Sequence, residues 1–240
     1  MRIAVLSDIH SNLAALEAVR ADLPAVDEVW VLGDTVGYGP QPNEVIRVLQ
    51  EMGARSVLGN HDAAAIGGIS AEDFNPDART AVEWTAGQLD ANAKAYLAAL
   101  PEVRVSGDLT AVHGSPRDPL WEYITSTAVA AANLASYETW LCIFGHTHLP
   151  VIFRADGTRV ELLAATPGEP IPLDARRALI NPGSVGQPRD GIPASAYMVL
   201  NDHDATVEFH RVAYDIARTQ KLMRKAGLPP RLADRLTWGR

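Results

Sequence analysis

The chain reads as an α/β protein. Three observations predict this. Short apolar runs bounded by turn residues suit strands buried on both faces. The segments between the first three runs carry apolar residues at helical spacing. Beyond residue 150 the pattern changes to short strands broken by Gly, Pro and Asp.

Residues 3–6 are the first apolar run. Leu13, Leu16, Val19 and Leu23 then recur near helical spacing, with Ser11 or Asn12 available as the cap. Residues 29–32 form a second run. Pro42 opens a helix on which Val45, Val48, Leu49 and Met52 share a face, and Gly53 closes it. Residues 56–58 are a third strand, giving strand, helix, strand, helix, strand, the order of a parallel layer. Residues 62–100 are expected to be helical, with Ala81, Val82, Thr85, Leu89, Tyr96, Leu97 and Leu100 as the buried stripe and Pro101 as the stop. Residues 103–105 and 109–112 suit a hairpin around Ser106-Gly107-Asp108. A helix over 125–137 and a buried strand over 140–144 follow. Strands are then expected at 151–154, 160–163, 178–180, 195–200 and 205–210, making a second sheet packed on the first. Residues 214–236 are helical, interrupted at Gly227-Leu228-Pro229-Pro230. No repeat or linker appears, so one domain over 1–240 is expected, with a helical tail from about 213 to 240.

Composition narrows the function. The chain has 240 residues, 47% apolar and 21% charged, which is ordinary for a globular protein. The net charge of −8 argues against wholesale binding of nucleic acid or an anionic membrane. Bound cations can still bring phosphate to an acidic protein. The lone Cys142 excludes an internal disulfide. No apolar run is long enough for a membrane span, and Asp8 follows the first residues too soon for a signal peptide, so a cytoplasmic location is expected.

The chemistry lies in five short motifs, each after an apolar run: Asp8-Ile9-His10, Gly33-Asp34, Gly59-Asn60-His61-Asp62, His113-Gly114 and Gly145-His146-Thr147-His148. They hold five of the seven histidines. Loops at the carboxyl ends of parallel strands are where α/β proteins build sites. If these strands share one sheet, Asp8, His10, Asp34, Asn60, His61, His113, His146 and His148 converge on one edge. The donor types suit two divalent cations roughly 3.5–4 Å apart, whose repulsion a bridging carboxylate relieves. Asp34 is the candidate bridge. Asp8, His10 and His148 would complete one site, and Asn60, His113 and His146 the other. Mixed O and N donors suit Mn first, with Fe, Zn, Co or Ni as alternatives. Gly33, Gly59, Gly114 and Gly145 let the backbone turn beside bulky ligands.

These ordered motifs resemble those of the calcineurin-like metallophosphoesterases, over residues 3 to about 200. Asn181-Pro182-Gly183-Ser184-Val185-Gly186-Gln187-Pro188-Arg189 is similar to a stretch in small bacterial members related to YfcE-type phosphodiesterases and diadenosine polyphosphate hydrolases. The resemblance implies a four-layer αββα sandwich of two mixed sheets flanked by helices, and metal assignments matching those above. One branch differs. Protein Ser/Thr phosphatases and symmetrical diadenosine tetraphosphatases carry Gly-Asp-x-x-Asp-Arg-Gly, where this chain reads Gly33-Asp34-Thr35-Val36-Gly37-Tyr38-Gly39. The carboxylate that orients the counterpart of His61 in that branch is missing.

The expected activity is hydrolysis of a small phosphodiester, phosphomonoester or nucleoside polyphosphate by attack of a metal-bridging hydroxide, with His61 protonating the leaving group. Asn12, Tyr38 and Arg117 are candidate substrate contacts; a helix cap, a packed aromatic and a surface ion pair are their structural alternatives. Asp62 is expected to cap a helix, and Asn181-Pro182-Gly183-Ser184 to be a turn beside the site. Trp84, Trp121 and Tyr123 are read as core or dimer-interface aromatics, which leaves homo-oligomerisation open. Lys221, Arg224, Lys225, Arg231 and Arg235 are read as a solvated face. The competing function is a non-catalytic interaction scaffold that keeps the fold. It is disfavoured because the ligand set and His61 are all present. A nuclease acting on DNA ends lacks the basic surface it would need.

Overall fold

A computed structural model describes residues 1–240. In chain order the elements are β1 (Arg2–Leu6), α1 (Leu13–Asp22), β2 (Glu28–Val31), α2 (Pro42–Glu51), β3 (Arg55–Ser56), α3 (Asn60–Ala65), α4 (Pro76–Gln88), α5 (Ala91–Ala98), β4 (Val103–Ser106), β5 (Leu109–Val112) and α6 (Thr127–Leu134). There follow β6 (Leu141–Ile143), β7 (Val151–Asp156), β8 (Arg159–Leu163), β9 (Ile171–Pro172), β10 (Ala178–Asn181), β11 (Ser195–Asn201), β12 (Thr206–Val212), α7 (Ile216–Lys225) and α8 (Pro230–Asp234).

Two six-stranded mixed sheets result, in the orders β3-β2-β1-β11-β12-β9 and β4-β5-β6-β10-β7-β8. Alternation along each strand makes four layers. Ile3 and Val5 of β1 face the second sheet, meeting Leu141, Ile143, Ala178 and Ile180 in a core of 17 buried residues. Ala4 and Leu6 face outward onto Leu13, Leu16 and Val19 of α1 and Val45 and Leu49 of α2. On the far side, Val112, Cys142, Phe144 and Leu179 pack against Ala130 and Val129 of α6. Strands buried on both faces need apolar residues at every position, which is why the runs read as continuous.

The helix starts follow local chemistry. Asn12, Asn75, Asp90, Ser126 and Asp215 each cap a helix by accepting a backbone N–H three residues on. Two of these caps correct the single helical stretch expected over 62–100. The chain breaks at Gly67-Gly68, restarts at Asn75-Pro76 and restarts again at Asp90, giving α3, α4 and α5. Pro cannot continue a helix but opens one well.

The sheet assignment is also corrected. The strands that carry the motifs do not share one sheet, and the β-rich second half does not form a sheet of its own. The middle strands β4, β5 and β6 join β10, β7 and β8, while β11 and β12 return to the first sheet, β11 pairing antiparallel with β1 from Arg2↔Asn201 to Val5↔Met198. The two sheets nevertheless present like ends together. β1, β2 and β3 are mutually parallel, as are β5, β6 and β10, and the motif loops leave from the carboxyl ends of both groups.

The inter-sheet core holds those two edges in register. Ile180, fully buried on β10 between β6 and β7, is at its centre. Ile180→Ala is expected to destabilise the fold by about 2–5 kcal/mol through lost contacts and a residual cavity. Val105→Ala, at a side chain 62% exposed, is expected to stay within about 0.5 kcal/mol of the parent. Urea unfolding midpoints of the two variants check this.

Candidate metal centre

The eight motif side chains meet in one buried cluster, none more than 4% exposed. Three subsets have ligand atoms close enough to share an ion: Asp8, His10 and His148; His10, Asp34 and His61; and Asp34, His113 and His146. Asp34 belongs to two of them. Its Oδ2 lies 3.6 Å from His10 Nε2 and 3.3 Å from His113 Nε2, while Oδ1 accepts the backbone N–H of His61 at 2.9 Å.

Backbone carbonyls decide which nitrogen of each ring faces inward. His10 Nδ1 meets Val36 O at 3.1 Å, His113 Nδ1 meets Leu32 O at 2.8 Å, and His148 Nδ1 meets Gln187 O at 2.5 Å. His146 does the reverse, turning Nε2 to Trp121 O at 3.2 Å. A carbonyl only accepts, so each of these nitrogens carries the hydrogen. The other nitrogen of each neutral ring then offers a lone pair.

Those lone pairs point at one another. His10 Nε2 lies 3.2 Å from His148 Nε2, and His113 Nε2 lies 3.0 Å from both His146 Nδ1 and Asn60 Oδ1. His148 Nε2 is 3.4 Å from Asp8 Oδ1. Facing acceptors at such distances repel unless a cation or proton sits among them. The donor set therefore fits two cations, with every imidazole anchored from behind as metal-binding histidines are.

Protonation tells the same story. Burial drives His10, His146 and His148 well below the ordinary imidazole value, so they stay neutral. Burial also works against charging His113, but the adjacent Asp34 carboxylate outweighs it and raises this histidine to about 9. Burial would raise Asp34 too, yet His113 and His61 hold it well below the carboxylate range. Burial pushes Asp8 up to about 7. His113 thus keeps a proton where a cation would otherwise sit.

The loops are strained where they carry ligands. Nine non-glycine residues have positive φ, and seven are in or beside this cluster: Asp8, His10, Ser11, Asp34, Tyr38, His146 and His148. Each costs on the order of 1–2 kcal/mol. The ties that offset the strain come from around the site. Asp62 accepts N–H groups of Thr35 at 3.2 Å, Val36 at 2.9 Å and Gly59 at 3.1 Å, so it caps α3 as expected and also clamps the Asp34 loop. Asn181 donates to Gly145 O at 2.6 Å, and Ser184 Oγ donates to Asp8 O at 2.8 Å. The Asn-Pro-Gly-Ser turn thereby joins ligand loops from both sheets. Gly59 is required by contact: a Cβ there would fall on the backbone nitrogen and Oδ1 of Asp34.

Beside the cluster opens a cleft of about 380 Å³, part of it open to solvent. Asp34, Asn60, His61, His146 and His148 of the cluster line it, together with Tyr38, Asp73, Phe74, Asn75, Trp121, Tyr123 and Arg189. His61 lies between the rings of Tyr38 (4.4 Å between centroids), Phe74 (4.8 Å) and His10 (4.9 Å). Its Nδ1 is buried and makes no hydrogen bond. Gly37 stands next to that nitrogen, where a Cβ would be 2.5 Å away, so no side chain at position 37 orients the ring. Burial pushes His61 down to about 4.

The other expected contacts fare differently. Tyr38 lines the cleft. Asn12 does not: it caps α1, donates to Gly186 O at 2.9 Å and accepts from the Thr219 hydroxyl at 2.9 Å. Arg117 is 3.7 Å from Glu122 in a surface pair, away from the cleft walls. Trp121 and Tyr123 are not core residues. Their loop folds over the site, and the Tyr123 ring stacks on His146 at 3.8 Å. Trp84 alone packs as expected, against the cluster of α4, α7 and α8. Arg189 was visible within the Asn-Pro-Gly-Ser stretch, but nothing in its spacing showed that it turns into the cleft.

A sequence model of the calcineurin-like phosphoesterase superfamily domain matches residues 1–204. The chain belongs to this superfamily. The crystal structure of a metallophosphoesterase from Sphaerobacter thermophilus is 48% identical, covers 100% of this chain and 99% of its own, and superposes with a TM-score of 0.92. An uncharacterized protein of Methanocaldococcus jannaschii is 36% identical over 245 residues, 99% of this chain and 98% of that protein. A symmetrical bis(5'-nucleosyl)-tetraphosphatase of Thioalkalivibrio sulfidiphilus is 41% identical over 68 residues, covering 26% of this chain and 25% of that protein. The superfamily and the buried His/Asp clusters agree on a dinuclear metal site. No helix is long and apolar enough to cross a membrane.

With His113 raised to about 9, a cation bound at that ring would displace a proton at neutral pH, so metal affinity is expected to rise by about tenfold per pH unit between pH 7 and 9, then level off. Below pH 7 the slope steepens, since Asp8 is then protonated as well. Calorimetric Mn²⁺ titrations across this range, in buffers of different ionisation enthalpy, measure both the affinity and the protons released. Gly37→Ala is expected to leave the metal stoichiometry unchanged while displacing His61, which the ring's NMR shifts report.

Proposed function

We propose that this chain is a hydrolase of small phosphate esters that works with two divalent transition-metal ions, Mn²⁺ first among them. Asp8, His10 and His148 would hold one ion, Asn60, His113 and His146 the other, and Asp34 would serve both. The observation that carries the reading is His61, which lines the cleft with Asp34 but has no hydrogen-bond partner on its buried Nδ1. Such a ring is not spent on holding the fold. Bound there, the two cations acidify water and neutralise phosphoryl charge.

The chain's own residues supply the rest. His61 is neutral in the free site because burial disfavours its charge. A phosphate ester brings negative charge against the ring and raises its proton affinity. The imidazolium then gives its proton to the departing oxygen, a step worth about 10²–10⁴-fold. Tyr38, Phe74 and His10 hold the ring by contact where the missing side chain at position 37 would have held it by a hydrogen bond. The substrates in view are phosphodiesters, phosphomonoesters and nucleoside polyphosphates. The local match to a symmetrical tetraphosphatase supports including the last group. A scaffold reading gains nothing from a cluster so completely equipped with buried ligands.

The protein with added Mn²⁺ is to be assayed on bis-p-nitrophenyl phosphate, p-nitrophenyl phosphate, cyclic nucleotides and diadenosine polyphosphates. Metal-dependent turnover of at least one is expected. His61→Ala is expected to lower kcat about 10²–10⁴-fold on alkoxide leaving groups and much less on p-nitrophenolate, which leaves without help. Folded, metal-loaded protein that turns over none of these would overturn the proposal.

A further inference from the structure

Arg189 is the one arginine among the residues that line the cleft. Arg154 pairs with Glu161 at 2.9 Å and Asp174 at 3.3 Å, and Arg211 pairs with Asp190. Arg189 enters no ion pair. Its neighbour Asp190 is turned away to Arg211, its Nη2 donates to Gln187 Oε1 at 3.0 Å, and its Nε is buried without a partner. An incompletely paired guanidinium out of bulk water is unfavourable, and this one, unlike the similarly unpaired Arg104 of β4, lines the cleft.

Its position is fixed from two sides. Gln187, two residues earlier, accepts the His148 ring N–H through its backbone and the Arg189 guanidinium through its side chain, so one residue ties the arginine to the metal cluster. The guanidinium carbon lies 6.0 Å from the centre of the Tyr38 ring, itself 4.4 Å from the His61 ring. Tyr38 occupies the place where the phosphatase loops carry an arginine, and here it is the surface over which a different arginine lies. The helical tail supports this arrangement. Leu232, Ala233 and Leu236 pack with Tyr38, and Arg235 on that tail is half-buried rather than solvated. The charge of Arg189 is felt at Asp8, His10, His61, His146 and His148, which places it electrically over the cluster.

We infer that Arg189 is the substrate-binding cation of this site, holding non-bridging phosphoryl oxygens of the ester with its unpaired N–H groups. The inference deepens the phosphoesterase reading and rests on it. A guanidinium fork matches two phosphate oxygens, which a point charge does not. It also sets specificity. A dianionic monoester or a terminal phosphate of a polyphosphate gains more from this cation than a monoanionic diester does.

The test compares wild type, Arg189→Met and Arg189→Lys, each loaded with Mn²⁺. Binding of inorganic phosphate by calorimetry is measured alongside KM and kcat, metal stoichiometry and Tm. Arg189→Met is expected to weaken phosphate binding about 10–100-fold and to raise KM more than it lowers kcat, with stoichiometry and Tm unchanged. Arg189→Lys is expected to fall between. A phosphate Kd for Arg189→Met within twofold of wild type, or no phosphate binding to wild type at millimolar concentration, overturns the inference. If Arg189→Met does not fold, Arg189→Lys decides: at least a threefold weaker phosphate Kd supports the inference and an unchanged one overturns it. Phosphate binding that depends on Arg189 in a protein without turnover would sink the phosphoesterase reading and leave the arginine's role standing. Turnover that ignores Arg189 would do the reverse.

Discussion

The hydrogen bonds from imidazole N–H groups to the carbonyls of Leu32, Val36, Trp121 and Gln187 are the constraint around which this structure is organised. Each selects a tautomer and a ring orientation, and together they aim four lone pairs at two points. A carbonyl can do this only if its own position is fixed to a fraction of an ångström. That requirement explains the surroundings. Leu32 continues β2 beside β1, Val36 is clamped by Asp62, and Gln187 is held by Ser184 Oγ accepting its N–H at 2.8 Å.

Precision of this kind opposes local comfort. Seven left-handed non-glycine residues within one cluster represent on the order of 10 kcal/mol of unfavourable backbone conformation. A small domain would unfold under it. Here two sheets and four layers bury the strands on both faces, and the inter-sheet core alone has 17 buried apolar members. The large fold is what lets a strained rim exist. The rim also concentrates imidazoles and carboxylates that would be unfavourable in the interior without cations.

Much of the site was legible before any fold was known. The residue types, their order and their positions after apolar runs are properties of the chain itself, and all eight residues converge, though from the edges of two sheets rather than one. What could not be read was which strands pair. Apolar runs at 3–6 and 141–143 look alike, yet one belongs to each sheet, and β11 pairs with β1 across nearly two hundred residues. Pairing over that separation leaves no periodic signal. The breaks in 62–100 were written in Gly67-Gly68, Asn75-Pro76 and Asp90, and the apolar stripe masked them. Substrate-side residues were the least visible. Asn12, two residues past His10, was a candidate phosphate contact but is spent on three structural hydrogen bonds, its helix cap among them, whereas Trp121, Tyr123 and Arg189 reach the cleft only because their loops fold back.

The return of β11 to the side of β1 also sets an order of events in the life of the chain. Asp8 and His10 follow the first strand, but the loop that braces them, Ser184 to Gln187, and the strand that pairs with β1 come some 175 to 200 residues later. Closing a loop of that length costs on the order of 5 kcal/mol in chain entropy before any contact rewards it. During synthesis the first motif loop therefore waits, unbraced, until residues 184–201 have been made. A chain interrupted before β11 already holds all eight motif residues but lacks the strand that pairs with β1.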